Sequence, residues 1–207
     1  MSGFSKELRR TVSLIADYYD GCKYGCEGFE GFRKSTDFRK FLECIRVMLD
    51  GGLIESGRTL FMDLGCADGR VNLLMSYFVK MSLGVEIDSD ILAEYGPRRS
   101  ELEEMLAKEG MAPPPSNIAL FAGSSLDDAT YRRIYENAGV HFEDIDLFYT
   151  YITLHDLFGE KISRGAKPGA LYLVYGFSKV LPRYDGLRLI DPDVGGQGIA
   201  ALYKKEA

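Results

Sequence analysis

From residue 58 onward, short apolar runs alternate with segments of helical periodicity, and this alternation constrains the fold more than any other feature of the chain. The runs are RTLFMDL, SLGVEI, NIALFA, DIDLFYT and ALYLVYGF. Strands separated by helices predict a parallel sheet with helices on its faces. Two final runs, GLRLID and GIAALYKK, flank PDVGGQG and predict an antiparallel hairpin that completes the sheet. We therefore expect a doubly wound α/β sheet of seven strands, mostly parallel, with an antiparallel C-terminal strand.

Residues 1–56 precede this alternation and have a different pattern. Apolar residues recur at helical spacing around Leu8 to Tyr19, and again around Phe38 to Leu49, which predicts two amphipathic helices. The segment between them, DGCKYGCEGFEGF, is rich in glycine and aromatic residues and is typical of a loop. We expect residues 1–56 to form a helical extension or lid packed on a domain of residues 57–207.

Composition and charge limit the partners of the chain. The 207 residues are 46% hydrophobic, which is enough for one buried core, and the longest aliphatic and aromatic run, ALYLVYGF, is too short to cross a bilayer. The net charge is -6, and the basic residues are scattered in pairs. Binding to a phosphate backbone is therefore disfavoured. These features favour a cytoplasmic protein that does not bind membranes. They disfavour nucleic acid as a substrate without excluding it.

The cysteines give no sign of a metal site. Cys22, Cys26, Cys44 and Cys66 lack C-x-x-C spacing, and the two histidines lie far downstream. We expect reduced thiols and no bound metal.

The stretch DLGCADG, from Asp63 to Gly69, connects the first predicted strand to a helix. In a doubly wound sheet, ligands bind at such turns, beyond the carboxyl ends of the strands. Gly65 and Gly69 allow the backbone to turn tightly and to approach a ligand. A dinucleotide fingerprint would need glycine at the positions of Ala67 and Arg70, so the turn is a poor match for pyrophosphate binding.

Glu86 ends the second predicted strand, roughly twenty residues beyond the turn, where an acid can accept hydrogen bonds from both ribose hydroxyls. A single acid at a strand end usually carries no meaning. Its distance from the glycine turn makes ribose binding the better interpretation.

The motifs DLGCADGR, GVEID, FAGSS, DIDLFYT and AKPGA follow one another at the predicted strand ends. In this order they resemble the class I S-adenosylmethionine-dependent methyltransferases, from Thr59 to Lys205. The resemblance implies a Rossmann-like fold, S-adenosyl-L-methionine as the cofactor and transfer of its methyl group to an acceptor.

The resemblance also implies roles for individual residues. Asp63, Gly65 and Gly69 would surround the methionine part of the cofactor, with Cys66 and Ala67 in the same turn. Glu86 would bind the ribose, and Ile87, Ser124, Ser125 and Leu126 would surround the adenine. Tyr149 and Thr150, after strand four, would line the place where methionine and acceptor meet.

This chain departs from the family pattern in three places. Ala67 replaces the middle glycine of the turn, which is tolerable if its backbone angles are ordinary. Ser124 replaces a usual acid near the adenine. The segment from Ser178 to Asp185 is too short for the helix that normally follows strand five.

Two residues are candidates for a catalytic role, His155 and Tyr149. His155 in YITLHDLFGEK lies where the family places the acceptor, and a histidine titrates near neutrality, so it is a candidate general base. The alternative is a histidine that starts a helix and bonds to solvent or to a backbone carbonyl, and the sequence favours it slightly.

The acceptor is not identified by any motif. An N/D-P-P-Y/F string, typical of nitrogen methylation on planar amino groups, is replaced by DIDLFYTYIT. A small molecule or a protein side chain is therefore favoured over nucleic acid as the acceptor. Two other functions stay open: a catalytically silent S-adenosylmethionine-binding regulatory or scaffold protein, and a nicotinamide-dependent oxidoreductase that shares the sheet but lacks the required glycines.

Aromatic residues near the N-terminus could contribute a lid over the site. They are Tyr18, Tyr19, Tyr24, Phe29 and Phe32. Ordinary packing explains Tyr19 equally well. Arg33 and Lys34 could attract an acidic group, although charged residues are more often solvated.

Overall fold

The computed structural model describes residues 5–22, 35–177 and 181–207. Its centre is a sheet of seven strands in the order β3-β2-β1-β4-β5-β7-β6. The first five strands are parallel, and β7 runs antiparallel to both β5 and β6. The strands are β1 Leu60–Leu64, β2 Met81–Glu86, β3 Ile118–Ala122, β4 Leu147–Tyr151, β5 Leu171–Tyr175, β6 Leu187–Asp191 and β7 Ala200–Lys205. This architecture confirms the predicted seven-stranded sheet and its antiparallel C-terminal strand.

Seven α-helices are present in the described part of the chain. They are α1 Lys6–Gly21, α2 Phe38–Asp50, α3 Arg70–Met75, α4 Ser89–Ala93, α5 Tyr95–Lys108, α6 Asp128–Ala138 and α7 His155–Gly165. Ser5, Asp37, Asp88 and Asp127 each accept a backbone N–H bond at the start of a helix. The predicted helix from Ser89 is split at Glu94, and Pro97 lies in the first turn of α5, where a missing N–H is tolerated.

The helices cover the two faces of the sheet separately. Because side chains alternate along a strand, Phe61 faces the core shared with α1, α2, α3 and α5, while Met62 faces the core shared with α6 and α7. Val12 of α1 and Phe41 of α2 are fully buried in the first core. The N-terminal helices therefore pack directly on the sheet. The domain boundary at residue 57 stays a prediction.

The connection from β5 to β6 contains no helix among its described residues, 176–177 and 181–186. Tyr184 covers the sheet here, with ring centroids 4.8 Å from Tyr203 and 5.6 Å from Tyr172. A Cβ atom on Gly159 of α7 would lie 2.5 Å from the Tyr184 ring, so α7 packs closely against this connection. The Tyr184 side chain thus packs between the sheet and α7.

Within the ranges that the structure describes, no helix is both long enough and apolar enough to span a membrane.

Candidate functional site

The two glycines of the turn after β1 have different roles. A Cβ atom on Gly65, whose φ is +107°, would meet no heavy atom of the described residues within 4 Å, so the described part of the turn borders open space here. A Cβ atom on Gly69 would lie 2.5 Å from the Leu120 side chain and 2.8 Å from Tyr95. Gly65 therefore leaves room for a ligand. Gly69 is required because the start of α3 packs closely on β3 and α5.

Ala67 adopts a left-handed backbone conformation with φ +48°. We expected alanine to be tolerated in place of glycine here if its backbone angles were ordinary, and they are not. A side chain in this region costs roughly 1–2 kcal/mol relative to the right-handed form. The backbone N–H of Ala67 donates to Glu86 Oε2 at 2.9 Å, which helps to hold the strained residue in place.

Glu86 connects the turn to the end of β2. Its Oε2 accepts from Ala67 N, and its Oε1 accepts from Asp88 N at 2.9 Å. Each carboxylate oxygen can accept a second hydrogen bond. The two amides therefore orient the carboxylate and leave it able to accept hydrogen bonds from a ligand. Ile87, the next residue, is 75% exposed, an unusual fraction for a large apolar side chain.

Asp63 is a buried carboxyl group beside the turn. It is 2% exposed, and none of the residues that the structure describes forms a hydrogen bond to its Oδ1. Burial, together with the nearby carboxylates of Glu86 and Asp68, raises the pKa of Asp63 well above its ordinary value. A bound cation would relieve both the missing partner and the repulsion between acids.

Asp68 anchors the turn to α1 and α5, a role that the sequence did not reveal. Its carboxylate is fully buried and accepts from Arg70 Nε at 2.8 Å and Nη2 at 2.7 Å, while Arg98 Nε lies 3.2 Å away. The Arg70 guanidinium lies 5.2 Å from the ring centroid of Tyr19. Burial lowers the pKa of Arg70 to about 10. These groups fix the turn between two helices.

The residues predicted to surround the adenine follow β3. The Ser124 hydroxyl accepts from Leu126 N at 3.2 Å, and Tyr131 donates to the Ser125 carbonyl at 2.7 Å. Leu126 is 39% exposed. Since β2 and β3 are neighbours, Leu126 and Ile87 present apolar side chains at adjacent strand ends.

Lys161 of α7 holds this loop, and no sequence motif indicated it. Its Nζ donates to the Leu126 carbonyl at 3.3 Å and pairs with Asp128 at 2.7 Å. The same ammonium lies 4.8 Å from the centroid of the Tyr131 ring. The loop after β3 is thus tied to α7.

Tyr149 and Thr150 lie within β4, which continues to Tyr151, so the prediction that they follow the strand was wrong. Tyr149 is buried, and its hydroxyl lies 2.6 Å from Thr36 Oγ1. Burial and the charge of Asp63 raise the pKa of Tyr149 well above its ordinary value, so the phenol is neutral. The Thr150 hydroxyl donates to the Tyr151 carbonyl at 2.8 Å. Both hydroxyls are engaged inside the protein.

His155 starts α7 and lies beneath the connection from β5 to β6. Its Nδ1 lies 2.8 Å from the Tyr184 hydroxyl and 3.0 Å from Asp156 Oδ1, and its ring packs edge-on against Phe177. The alternative drawn from the sequence, a bond to solvent or a backbone carbonyl, was incomplete, because two side chains orient the ring.

Cys66 and Tyr18 are the last of the predicted site residues that the structure describes. Cys66 is buried, and burial raises the pKa of its thiol well above the ordinary value, so it is not a thiolate. Tyr18 donates to Glu101 at 2.7 Å. Over the described ranges, no cluster of three His, Cys, Asp or Glu side chains is arranged to bind a metal. The other predicted N-terminal residues lie outside the described residues: Tyr24, Cys26, Phe29, Phe32, Arg33 and Lys34.

Comparison with solved structures identifies the fold. The structure described as "Putative methyltransferase yhhF from Escherichia coli" has a TM-score of 0.55 and 15% identity, over 85% of this chain and 88% of that chain. A mutant of MtNAS has a TM-score of 0.54 and 12% identity, over 97% of this chain and 71% of that chain. The fold is that of the class I S-adenosylmethionine-dependent methyltransferases.

A third solved structure is more distant. It is an RNA methyltransferase from Salinibacter ruber, crystallised with S-adenosyl-L-homocysteine, with a TM-score of 0.44 and 15% identity, over 78% of this chain and 90% of that chain. No protein-family model and no curated protein matches the chain.

The turn of this methyltransferase fold is chemically suited to S-adenosylmethionine, which carries a cationic ammonium and a sulfonium. The unpartnered Asp63 oxygen suits a cation, and Gly65 leaves space beside the turn. Glu86 retains lone pairs for a ribose, and the exposed Ile87 and Leu126 suit a flat apolar ring. The residues present therefore fit this cofactor.

Proposed function

We propose that this protein is a methyltransferase that uses S-adenosyl-L-methionine. The observation that carries the proposal is the buried Asp63 carboxyl next to Gly65, whose Oδ1 has no hydrogen-bond partner among the described residues. A buried acid without a partner destabilises a protein. Binding of the cofactor's ammonium by Asp63 would explain why a buried carboxyl without a partner is present here.

Glu86, Ile87 and Leu126 have the remaining binding roles in this proposal. Glu86, oriented by two backbone amides, accepts hydrogen bonds from the ribose hydroxyls. Ile87 and Leu126 contact the adenine, with Ser124 and Ser125 behind it. Cys66 and Ala67 contribute backbone to the turn.

The bound cofactor supplies an activated methyl group, so the chain mainly aligns the reactants. A base is needed only when the acceptor arrives protonated. His155 is the candidate base, because Tyr184 and Asp156 orient its Nδ1. Tyr149 is the second catalytic candidate, as a neutral hydroxyl rather than as a phenolate.

We extend the proposal to the acceptor class. The net charge of -6 and the scattered basic residues support a small molecule or a protein side chain in preference to nucleic acid.

Calorimetric titration with S-adenosylmethionine and S-adenosylhomocysteine tests the cofactor. We expect both to bind, and Glu86→Gln to weaken binding by about tenfold or more, because one charge-assisted hydrogen bond contributes roughly 1.5–3 kcal/mol. Glu104→Gln, at an exposed position of α5, is the matched control and should change nothing. Failure of the folded wild-type protein to bind either compound would refute the proposal. Binding without turnover of a labelled methyl group would favour the catalytically silent alternative.

A further inference from the structure

A cleft of about 600 Å³ lies where the end of α1, the start of α2 and the loop between β6 and β7 meet. Seven described residues line it, and all of them are polar. A cleft of this volume suits a small molecule. Its polar lining suits a ligand that forms hydrogen bonds and ion pairs.

The cleft opens at the same edge of the sheet as the glycine turn. Tyr149 of β4 bonds to Thr36, and the Tyr175 hydroxyl of β5 donates to the Asp37 carbonyl at 3.2 Å. Gln197 also lines the cleft. It lies three residues before Ala200, the residue of β7 that pairs with Tyr175 of β5. Since β4 is the neighbour of β1, the cleft lies beside the strand that leads into the turn.

The floor of the cleft holds a hydroxyl with an unused hydrogen. Thr36 is 5% exposed, and its Oγ1 and the Tyr149 hydroxyl share one hydrogen bond. Whichever group donates, the other hydroxyl hydrogen has no acceptor among the described residues. When Tyr149 is the donor, the Thr36 hydrogen is available to a ligand.

The walls of the cleft carry charges of both signs. Lys40 Nζ and Asp37 Oδ2 lie 3.7 Å apart, a loose pair in which both side chains are more than two-fifths exposed. Exposed pairs of this kind contribute little to stability. A ligand with both charges can pair with each group. A polyanion would meet the carboxylates of Asp20 and Asp37 as well as the cations of Arg39 and Lys40.

We infer that this cleft binds the methyl acceptor and that the acceptor is a small molecule carrying both a cationic and an anionic group. The inference rests on the methyltransferase function proposed above and adds the substrate class. Lys40 binds the anionic group, Asp37 binds the cationic group, and the Thr36 hydroxyl donates from the floor.

The test uses the full chain, S-adenosylmethionine labelled with tritium at the methyl group, and an extract of the source cells. The extract is separated into small-molecule, protein and RNA fractions before incubation. We expect the label in the small-molecule fraction, in compounds that a cation exchanger retains at acidic pH and an anion exchanger retains at basic pH. Label in the protein or RNA fraction instead would overturn the acceptor class.

Two variants test the cleft itself. Lys40→Met removes the cation, and Asp37→Asn removes the anion while keeping the side-chain oxygen that accepts from Lys40 N at the start of α2. We expect each to lower the rate at limiting acceptor by about tenfold, the equivalent of one charge-assisted hydrogen bond, with unchanged affinity for S-adenosylhomocysteine. Lys108→Met, on the exposed end of α5, is the control.

The outcomes separate this inference from the proposed function. Unchanged labelling by both variants, or cofactor binding without label in any fraction, would overturn the acceptor cleft and leave cofactor binding intact. Failure of the wild-type chain to bind S-adenosylhomocysteine would instead overturn the proposed function.

Discussion

Ala67 is the residue at which the cofactor turn departs from relaxed backbone geometry. Its φ of +48° lies in the region that glycine adopts freely and alanine does not. The bond from its N–H to Glu86 Oε2 links this conformation to the proposed ribose acid. Strained residues of this kind cluster at functional sites.

Replacing Ala67 by glycine should relieve the strain. We expect Ala67→Gly to raise the free energy of unfolding by about 0.5–1 kcal/mol, because the left-handed penalty exceeds the added flexibility of the unfolded chain. Denaturation in urea measures the change. Ala107→Gly, inside α5, is the matched control and should lower the same quantity by about 1 kcal/mol. A loss of stability in Ala67→Gly would contradict the strained conformation.

Asp63 links cofactor binding to pH. Its folded-state pKa lies well above its ordinary value of 3.8, because burial and neighbouring acids disfavour the charged form. The folded protein therefore binds a proton that the unfolded chain releases above about pH 4. The contribution of Asp63 to stability is greatest below that pH and declines as pH rises toward the folded-state pKa.

The amide variant separates stability from function at this residue. We expect Asp63→Asn to gain stability relative to wild type as pH rises from about 4, because an amide has no charge to desolvate. The same variant should bind S-adenosylmethionine at least about tenfold more weakly, since the ammonium loses its carboxylate partner. Urea denaturation across pH and calorimetry measure the two effects. Asp185→Asn, at an exposed position, should show neither.

At the scale of elements, side chains from distant helices fix the loops of the site. Asp68 in the turn meets Arg98 of α5, and Arg70 meets Tyr19 of α1. Lys161 of α7 binds the loop after β3 in the same way. The site is therefore held by contacts that cross between elements.

Lys161 is predicted to be a positioning residue. We expect Lys161→Met to remove the cation–π contact with Tyr131 and to release the Leu126 carbonyl and Asp128. The affinity for S-adenosylmethionine should fall by about threefold to tenfold, while kcat at saturating cofactor should change little. Arg164→Met, which removes an exposed pair with Glu160 on the same helix, is the control. An unchanged KM for the cofactor would contradict the role of Lys161.

At the scale of the whole molecule, the connection between β5 and β6 packs on the sheet through the aromatic ring of Tyr184. The sequence predicted that residues 178–185 are too short for a helix, and the described residues of the connection, 176–177 and 181–186, contain none. It gave no indication that Tyr184 would pack on Tyr172, Tyr203 and His155. The aromatic ring closes one face of the sheet and also orients the candidate base.

Two variants of Tyr184 distinguish these roles. Tyr184→Ala should lower the free energy of unfolding by about 2–4 kcal/mol, because a half-buried aromatic ring is lost. Tyr184→Phe keeps the ring and removes only the hydroxyl 2.8 Å from His155 Nδ1. We expect Tyr184→Phe to be nearly as stable as wild type and, if His155 is the base, to shift the pH dependence of kcat. Thermal unfolding and a pH profile measure the two effects.

The sequence by itself determined the order of strands and helices, the glycine turn and the acid at the end of β2. These are local features, since periodicity and turn chemistry act over a few neighbouring residues. The sequence could not show that Tyr149 lies in the core rather than at the end of β4. The position where β4 ends depends on its pairing with β1 and β5.

Only the tertiary structure decided which side chains meet around the turn. Gly69 is required by Leu120, Asp68 is paired with Arg98, and the Leu126 loop is held by Lys161. Each partner is 30 or more positions away in the chain, so no local pattern records the contact. Packing of the helices on the sheet brings these groups together. It also leaves Asp63 Oδ1 without a hydrogen-bond partner in the described part of the chain, and this is the feature that most directly indicates a cationic ligand.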